Sequence, residues 1–250
     1  AGTTRLWRIT NTRDVASTTG GAFLLRNDAL RNTLKYLKLQ SNTNVNAAPT
    51  VGVVNIGSTY FGGQGNNLNT IDNCDISNNT AGTVSTNPSR GIYTSSSSGT
   101  NAYNSSNTYS SNLIHDFNST ATNPIGISLN GEVGATITGN SIYQTASRTG
   151  LANFGLGISV GGAPGPGMTI TNNYIGGTLP QCGGTPMTLS GTTAVFYGMQ
   201  INTGQCTSAS TISGNTLANW SLTSSNTTAS SIVACGINPA TQNKIGRAHV

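Results

Sequence analysis

Charged residues are scarce in this sequence. Asp, Glu, Lys and Arg make up 7% of its 250 residues, whereas an ordinary globular domain contains roughly 25%. Apolar residues still account for 35%, and a disordered chain usually combines low hydrophobicity with high net charge. The composition therefore argues against disorder. Short runs of Ile, Val and Thr between Gly and Asn instead predict short strands joined by tight turns.

The sequence also lacks an apolar run of membrane-spanning length and a basic stripe interleaved with aromatic residues. The formal net charge is +5, but seven of the 11 basic residues lie at or before Lys38. The remainder of the chain is nearly uncharged, whereas nucleic-acid-binding domains usually carry a basic patch or stripe on one face. We therefore expect neither a membrane span nor a nucleic-acid partner.

The cysteines show no metal-binding spacing. The four are Cys74, Cys182, Cys206 and Cys235, and no two form a C-x-x-C pair, which argues against a zinc or thioredoxin-type site. Two disulfides, one disulfide or four buried thiols are all compatible with the sequence. Among the possible pairs we favour Cys182 with Cys206, because both lie in loop-like sequence around one strand.

The end of the chain differs from the rest. Residues 244–250 read KIGRAHV, which is the translation of AAGATCGGAAGAGCACACGTC and resembles a common sequencing adapter read in frame. We interpret this tail as an artefact and exclude it from fold reasoning. The chain has no initiator Met, so we expect residues 1–243 to form a single domain that is truncated at both ends.

An internal repeat is the strongest signal. Each copy contains an apolar or aromatic residue, two polar or small residues, Asn, any residue, and then Ile or Leu. Clear copies begin at Ile137, Ile170 and Ile212, and weaker ones at Ile71 and Tyr109. The Asn position is filled by Asn112, Asn140, Asn173 and Asn215, with Cys74 in its place in the first copy.

A second short element follows each copy at a variable distance. It consists of Gly, an apolar residue and, in most copies, a polar residue, so the strands keep their form while the connecting loops vary. Looser copies of both elements lie around Leu34–Leu39 and Val51–Ile56. The second element occurs at Gly91, Gly126, Gly157, Gly198 and Gly236.

Strands of three to five residues cannot bury an apolar face alone, so such repeats are stable only when they stack. Stacking at a spacing of about 4.8 Å aligns Ile137, Ile170 and Ile212 in one internal row. A second row then contains the residues Ile142, Ile175 and Leu217.

The repeated Asn and Gly residues predict the bends between strands. We expect Asn to adopt the left-handed conformation there and to bond its neighbours along the stacking axis. We expect Gly to allow a second sharp corner. A β-sandwich is the competing architecture, but it would not explain an Asn at the same offset in every copy.

The copies GNSIYQ, NNYIGG and GNTLANW resemble the repeats of the pectate-lyase-like superfamily. They are especially similar to those of repetitive secreted surface proteins of gliding, type IX-secreting bacteria, with NNYIGGTLPQCGGTPMT as the closest local match. The resemblance covers residues 70–240 clearly and the first 70 residues loosely. It implies an all-β fold: a right-handed parallel β-helix (solenoid) with variable-length loops between short strands. It also implies an extracellular or cell-surface location.

The acidic residues decide whether catalysis is expected. A hydrolase of this shape needs two cooperating carboxylates, and a lyase needs a base, often with calcium. The repeat register places Asp72 and Asp75 outward, without a partner carboxylate on a neighbouring copy. The acids of the sequence are Asp14, Asp28, Asp72, Asp75, Asp116 and Glu132.

The other ionisable residues predict no active site. His115 and Asp116 are adjacent, and neighbours in a strand point to opposite faces, so we do not expect them to cooperate. No acidic or basic partner can be placed near Arg148, and Glu132 lies in a predicted surface turn. We therefore assign no catalytic, cofactor-binding or metal-binding residue, and we expect no cofactor.

Three functions are compatible with this sequence. The first is a non-catalytic segment of a large secreted or cell-surface β-helix protein, acting as a stalk, adhesin or scaffold. The second is binding of an extracellular polysaccharide or cell-surface glycan through exposed aromatics. The third is a polysaccharide lyase or hydrolase whose active residues lie outside these 250 residues. The aromatic candidates are Tyr93, Tyr143, Tyr174 and Trp220.

Overall fold

A computed structural model describes the chain over residues 7–12, 21–42, 52–57, 64–78, 88–96, 103–119, 123–151, 156–191, 195–203, 205–225, 231–238 and 245–248. Every helix or strand assigned in these ranges is a β-strand, so the described part of the chain is all-β. The strands are β1 (Trp7–Asn11), β2 (Phe23–Leu25), β3 (Thr33–Lys35), β4 (Leu37–Ser41), β5 (Gly52–Gly57), β6 (Thr70–Asp72), β7 (Asp75–Asn78), β8 (Arg90–Ser95), β9 (Asn104–Ser105), β10 (Thr108–Ser110), β11 (Leu113–His115), β12 (Ile125–Val133), β13 (Thr136–Thr138), β14 (Ser141–Tyr143), β15 (Arg148–Leu151), β16 (Leu156–Gly162), β17 (Thr169–Thr171), β18 (Tyr174–Ile175), β19 (Met187–Gly191), β20 (Val195–Asn202), β21 (Ser210–Ser213), β22 (Thr216–Leu217), β23 (Trp220–Ser224), β24 (Ser231–Asn238) and β25 (Ile245–Ala248).

Three long sheets contain most of these strands. Sheet 1 has the order β3-β6-β10-β13-β17-β21-β25, sheet 2 the order β1-β4-β7-β11-β14-β18-β22, and sheet 3 the order β2-β5-β8-β12-β16-β20-β24, with β9 also paired to β12. The chain passes through sheets 1, 2 and 3 in turn and then returns to sheet 1 one strand further on. We call each such passage a coil.

All the strand pairings in these sheets are parallel; the pairing of β13 with β17 is typical. This topology is compatible with the expected parallel β-helix, and it contradicts the β-sandwich, whose sheets consist of antiparallel strands. A fourth, smaller sheet with the order β15-β19-β23 lies in the chain between sheets 2 and 3. Strand β25 falls inside residues 244–250 and pairs with β21. The interpretation of that tail as adapter sequence stays a prediction.

The interior consists of rows of aligned apolar side chains, as the repeat predicted. In sheet 1, Ile137 pairs with Ile170 and Ile170 with Ile212. In sheet 2, Ile142 aligns with Ile175. These five side chains are at most 2% exposed, and full burial of one such side chain stabilises the fold by roughly 1.5–3 kcal/mol. On the short strands of sheet 1, the residues on either side of the buried one are partly exposed, so these strands bury one side against the interior.

The repeated Asn residues form a hydrogen-bonded ladder inside the coil. The Oδ1 atom of Asn140 accepts bonds from the backbone N and the Nδ2 of Asn112, at 3.0 and 2.9 Å. The Nδ2 atom of Asn140 donates to the backbone O of Tyr109 and to Oδ1 of Asn173, both at 2.9 Å. Asn173 bonds Asn215 in the same way. Each amide thus fixes the position of the next coil.

The left-handed residue is not the Asn, contrary to expectation. Positive φ angles occur one residue earlier, at Ser111 (54°), Gly139 (66°), Asn172 (57°) and Gly214 (66°). The preceding residue therefore makes the bend, which leaves the Asn side chain free to point inward and join the ladder.

Two further Asn ladders were not predicted. Asn32 donates through Nδ2 to Oδ1 of Asn69 at 2.9 Å, and Asn69 donates to Asn107 at 3.1 Å. A third, shorter ladder joins Asn66 to Asn104, also at 3.1 Å. These two ladders lie in the first coils, whereas the ladder that begins at Asn112 continues through the later ones, and each ladder lies at a different bend.

The glycine of the second repeat element recurs for a reason other than a sharp corner. Gly91, Gly126 and Gly157 do not appear among the residues with positive φ. A Cβ atom at Gly126 would lie 2.6 Å from a methyl group of Ile142, and one at Gly157 would lie 2.6 Å from Ile175. Glycine is required because sheets 2 and 3 approach each other too closely for a side chain.

Two other expectations are wrong in detail. Gly236 pairs with Gln200 instead of Gly198, so the last copy of the second element was aligned two residues out of register. Cys182 and Cys206 are both free thiols, so the favoured disulfide is not formed.

The Asn ladder predicts a large effect of one side chain on stability. Replacing Asn140 with Ala removes the acceptor of the Asn112 backbone N–H, and it removes one hydrogen bond each from Nδ2 of Asn112, the backbone O of Tyr109 and Oδ1 of Asn173. A buried group left without its partner costs roughly 1–3 kcal/mol. We expect the free energy of unfolding, measured by urea titration, to fall by about 3–5 kcal/mol. The matched control is Asn130→Ala, at an exposed position, which should change it by less than about 0.5 kcal/mol. Equal effects of the two variants would contradict the ladder.

Candidate functional site

Four ionisable residues that the sequence predicted to be separate converge on one side of sheet 2. We call Asp75, His115, Asp116 and Arg148 the His115 cluster. The Nε2 atom of His115 lies 3.0 Å from Oδ1 of Asp75, and its Nδ1 atom lies 2.8 Å from Oδ2 of Asp116. The Nη2 atom of Arg148 donates to Oδ1 of Asp116 at 2.6 Å. The cluster thus joins residues of three successive coils.

The adjacency of His115 and Asp116 does not separate their side chains, contrary to expectation. Strand β11 ends at His115, and Asp116 has a φ of 57°. The rule that neighbours face opposite sides applies only within a strand. Because the backbone turns at Asp116, its carboxylate returns to the face that carries the imidazole.

The repeat register itself was correct for Asp75. Asp75 pairs with Leu113, which is two residues before His115 on the neighbouring strand. Diagonal neighbours on one face of a sheet are within reach of long side chains. One partner that the sequence argument missed was therefore a histidine on the diagonal, because that argument considered only carboxylates in the same row.

The two carboxylates hold His115 in its charged form. Burial by itself lowers the pKa of His115, but the hydrogen bonds to Asp116 and Asp75 outweigh it and raise that pKa to about 9. Burial likewise would raise the pKa of Asp116, but His115, Thr145 and Arg148 lower it to about 2. At neutral pH the cluster therefore contains two carboxylates, an imidazolium and a guanidinium.

Neighbouring side chains complete the cluster. The ring of Tyr143 stacks on that of His115, with centroids 4.8 Å apart and an interplanar angle of 19°. Thr145 donates to Asp116 through its backbone N at 3.0 Å and through its hydroxyl. Arg148 donates through Nε to Oε1 of Gln144 at 2.8 Å. Tyr143 is only 5% exposed, so it is a packing residue and does not offer a surface to sugars.

The chemistry open to the His115 cluster is limited. A general base needs a free lone pair, and a general acid needs a proton directed at the substrate. Both ring nitrogens of His115 face carboxylates, and both oxygens of Asp116 accept hydrogen bonds. The cluster therefore acts as a cross-link between coils.

The outward acids of the first copy also have partners that the sequence argument missed. Lys35 lies 2.8 Å from Asp72, and Lys38 lies 3.8 Å from Asp75. Burial alone would raise the pKa of Asp72, but hydrogen bonds from Lys35, Ser110 and Asn73 lower it. These pairs could have been predicted from the sequence, because the looser upstream copy places Lys35 and Lys38 one coil before the acids that they contact.

Glu132 is the largest departure from expectation. It was assigned to a surface turn, yet it is fully buried at 0% exposure. Its carboxylate accepts bonds from Nδ2 of Asn107 at 2.8 Å and from the hydroxyl of Tyr109 at 2.9 Å. Burial raises the pKa of Glu132 to about 7, although these hydrogen bonds oppose the rise. The side chain is part of the interior polar network.

The remaining aromatic candidates differ in exposure. Trp220 packs on Phe196 with ring centroids 5.0 Å apart, in a satellite core under the fourth sheet. Tyr93 and Tyr174 are partly exposed on sheets 3 and 2. Among these aromatic candidates, only Tyr174 is paired with an exposed polar residue on the neighbouring strand, namely Thr216.

One cavity lies between the coils and the fourth sheet. It has an empty volume of about 340 Å³, which includes open solvent, and its wall contains Ile142, Ile175, Met187 and Phe196. Its charged lining residue is Arg148, which is already bound to Asp116. The cavity therefore offers apolar surface and no free acid or base.

Within the described ranges, no group of three or more His, Cys, Asp or Glu side chains is arranged to hold a metal ion. No described segment is a helix with the length and apolarity that a membrane crossing requires. Asp14 and His249 lie outside the described residues. No protein-family model, curated protein or solved structure matches the chain.

The charge state of His115 is testable by titration. We expect the His115 pKa, followed by the NMR shift of its ring carbon Cε1, to be about 9. Replacing Asp116 with Asn removes the strongest partner and should lower that pKa. Because the folded pKa exceeds the ordinary value of about 6.5, the stability that this histidine contributes is complete below about pH 6.5 and is lost as the pH rises through about 9.

The matched control is Asp28→Asn, at a partly exposed acid in the first described coils. That change should leave the His115 titration where it is. A native His115 that titrates near 6.5, or an equal response to both substitutions, would contradict the cluster geometry.

Proposed function

We propose that this chain is a non-catalytic segment of a large secreted or cell-surface protein, serving as a stalk, adhesin or scaffold. In this proposal the three parallel sheets form a right-handed parallel β-helix of the pectate-lyase-like kind. The observation that carries the proposal is that polar side chains join successive coils to one another. Asn amides join coils on the inside, and the His115 cluster joins them on the outside.

The low charge content supports a structural role. An enzyme that cleaves polysaccharides needs an acid and a base that remain available to substrate. In the His115 cluster, the acidic and basic side chains are hydrogen-bonded to one another, at distances of 2.6–3.0 Å. Such a network stabilises the stacked strands without leaving a group to transfer a proton.

Carbohydrate binding is the second candidate, and Tyr174 favours it. This ring is partly exposed in an outward row of sheet 2, where Thr216 on the next strand is exposed. Aromatic faces and hydroxyl groups together suit a sugar ring, which has both apolar faces and polar edges. An extracellular polysaccharide or cell-surface glycan is the proposed partner in this case.

Activity and binding assays on the 250-residue chain separate these functions. We expect no release of reducing ends and no unsaturated uronate absorbance from neutral or acidic polysaccharides. If a glycan array detects binding, Tyr174→Ala should weaken it about tenfold or more, since stacked aromatic contacts dominate such sites. Tyr103→Ala, at another partly exposed tyrosine, is the matched control.

Cleavage of a polysaccharide that disappears in His115→Gln would contradict the non-catalytic role. Antibodies raised against the chain should label intact cells or their secreted matrix. Labelling that requires permeabilised cells would contradict the proposed location.

A further inference from the structure

The carboxyl group of Glu132 completes one of the interior ladders. The ladder of Asn32, Asn69 and Asn107 stops at the next coil, because the position aligned with Asn107 is Ala135: Thr108 and Thr136, the residues that follow, are paired. Alanine cannot accept the bond that each Asn donates forward. Oε1 of Glu132 accepts it instead, from Nδ2 of Asn107 at 2.8 Å.

The backbone of β12 brings Glu132 to this position. Glu132 pairs with Asn104 of β9, and Val133 pairs with Ser105. Gly131 just before it has a φ of 69°, so the chain bends there and the glutamate side chain enters the coil. The carboxyl group thus connects the segment of β9 and β10 with the segment of β12 and β13, which is stacked on it one turn further along the chain.

The surroundings of Glu132 contain no compensating positive charge. Its hydrogen-bond partners are Asn107, Tyr109 and Thr94, and no ion pair of the described residues involves it. Tyr109 is the titratable group among these partners. Burial and the neighbouring carboxylate raise the pKa of Tyr109 well above its usual value, so it remains a neutral donor.

We propose that Glu132 is a pH-sensitive coupling between these two stacked segments: the protonated carboxyl group holds them together, and its ionisation loosens them. The protonated form is neutral and keeps its bonds to Asn107 and Tyr109. The ionised form is a buried negative charge without a cation, which is costly in a solvent-excluded site. Local opening of β9 and β10 relieves that cost by exposing the carboxylate to water.

The direction of the pH effect follows from the two pKa values. The ordinary pKa of Glu is 4.5, and that of folded Glu132 is about 7. The opened state therefore releases its proton at lower pH than the closed state does. The opening equilibrium constant rises up to about tenfold per pH unit from about 4.5 to 7, and it levels off above that.

Glu132 is the only glutamate of the sequence, which gives a direct experiment. Labelling the chain with glutamate that carries carbon-13 at Cδ yields one carboxyl resonance. We expect it to titrate with a pKa near 7 in the native chain, and at a higher pH in Tyr109→Phe, which removes a hydrogen bond to the carboxylate. A midpoint near 4.5 in the native chain would overturn the proposal.

Hydrogen exchange then tests the coupling itself. The amide of Ser106, which donates to the backbone O of Val133 at 2.9 Å, should lose protection progressively between pH 4.5 and 7 after correction for intrinsic rates. The amide of Thr216, several coils away, should not follow this trend. In Glu132→Gln the trend at Ser106 should vanish, whereas Asp28→Asn should retain it.

An identical pH trend in the native chain and in Glu132→Gln would overturn the proposed coupling. If Glu132→Gln does not fold, the carboxyl titration and the contrast between Ser106 and Thr216 in the native chain still decide the question. These measurements do not depend on whether the chain binds glycans or serves as a scaffold.

Discussion

The bend between sheets 1 and 2 imposes the constraint on which the other features depend. In the later copies this bend places an Asn amide inside the coil, where it must find hydrogen-bond partners because water is excluded. Asn112, Asn140 and Asn173 find them in the next coil, at 2.9 to 3.1 Å. A strand that slipped by one residue would break these bonds and also turn its apolar side chain outward. The ladders therefore specify register, and the aliphatic rows supply most of the burial.

A fixed register determines what the few charged residues can do. Outward positions on neighbouring coils are about 4.8 Å apart, so any acid and base in adjacent rows meet each other. Asp72 meets Lys35, and Asp75 meets His115. Exposed pairs of this kind contribute roughly 0–1 kcal/mol to stability. The groups of the His115 cluster are more deeply buried, and each is hydrogen-bonded to another member of the cluster. Charge in this chain serves cohesion between coils.

The rows of the fold could be predicted from the sequence because the repeat keeps its offsets. Ile137, Ile170 and Ile212 occupy equivalent places in their copies, and the structure pairs them. The conformation of the bend was harder to predict, because the presence of an Asn does not indicate whether it or the preceding residue adopts the left-handed conformation. The role of Gly126 depended on the distance between two sheets, which no local pattern contains.

The site was missed for reasons of the same kind. The proximity of Asp116 to His115 follows from a backbone turn after a three-residue strand, and Arg148 reaches it from the coil after that. A signal for Glu132 did exist. The dipeptide Asn-Thr occurs at residues 32–33, 69–70 and 107–108 and becomes Ala-Thr at 135–136. The missing amide at Ala135 indicated that another polar side chain had to replace it.

Hydrogen-bond scalar couplings test the central role of the Asn ladder most directly. In a deuterated, carbon-13 and nitrogen-15 labelled chain, a long-range HNCO experiment detects which carbonyl carbon accepts each backbone N–H. The ladder predicts couplings from the amide of Asn112 to Cγ of Asn140, and from that of Asn140 to Cγ of Asn173. Couplings of these amides to backbone carbonyls instead, or their rapid exchange with water, would contradict it.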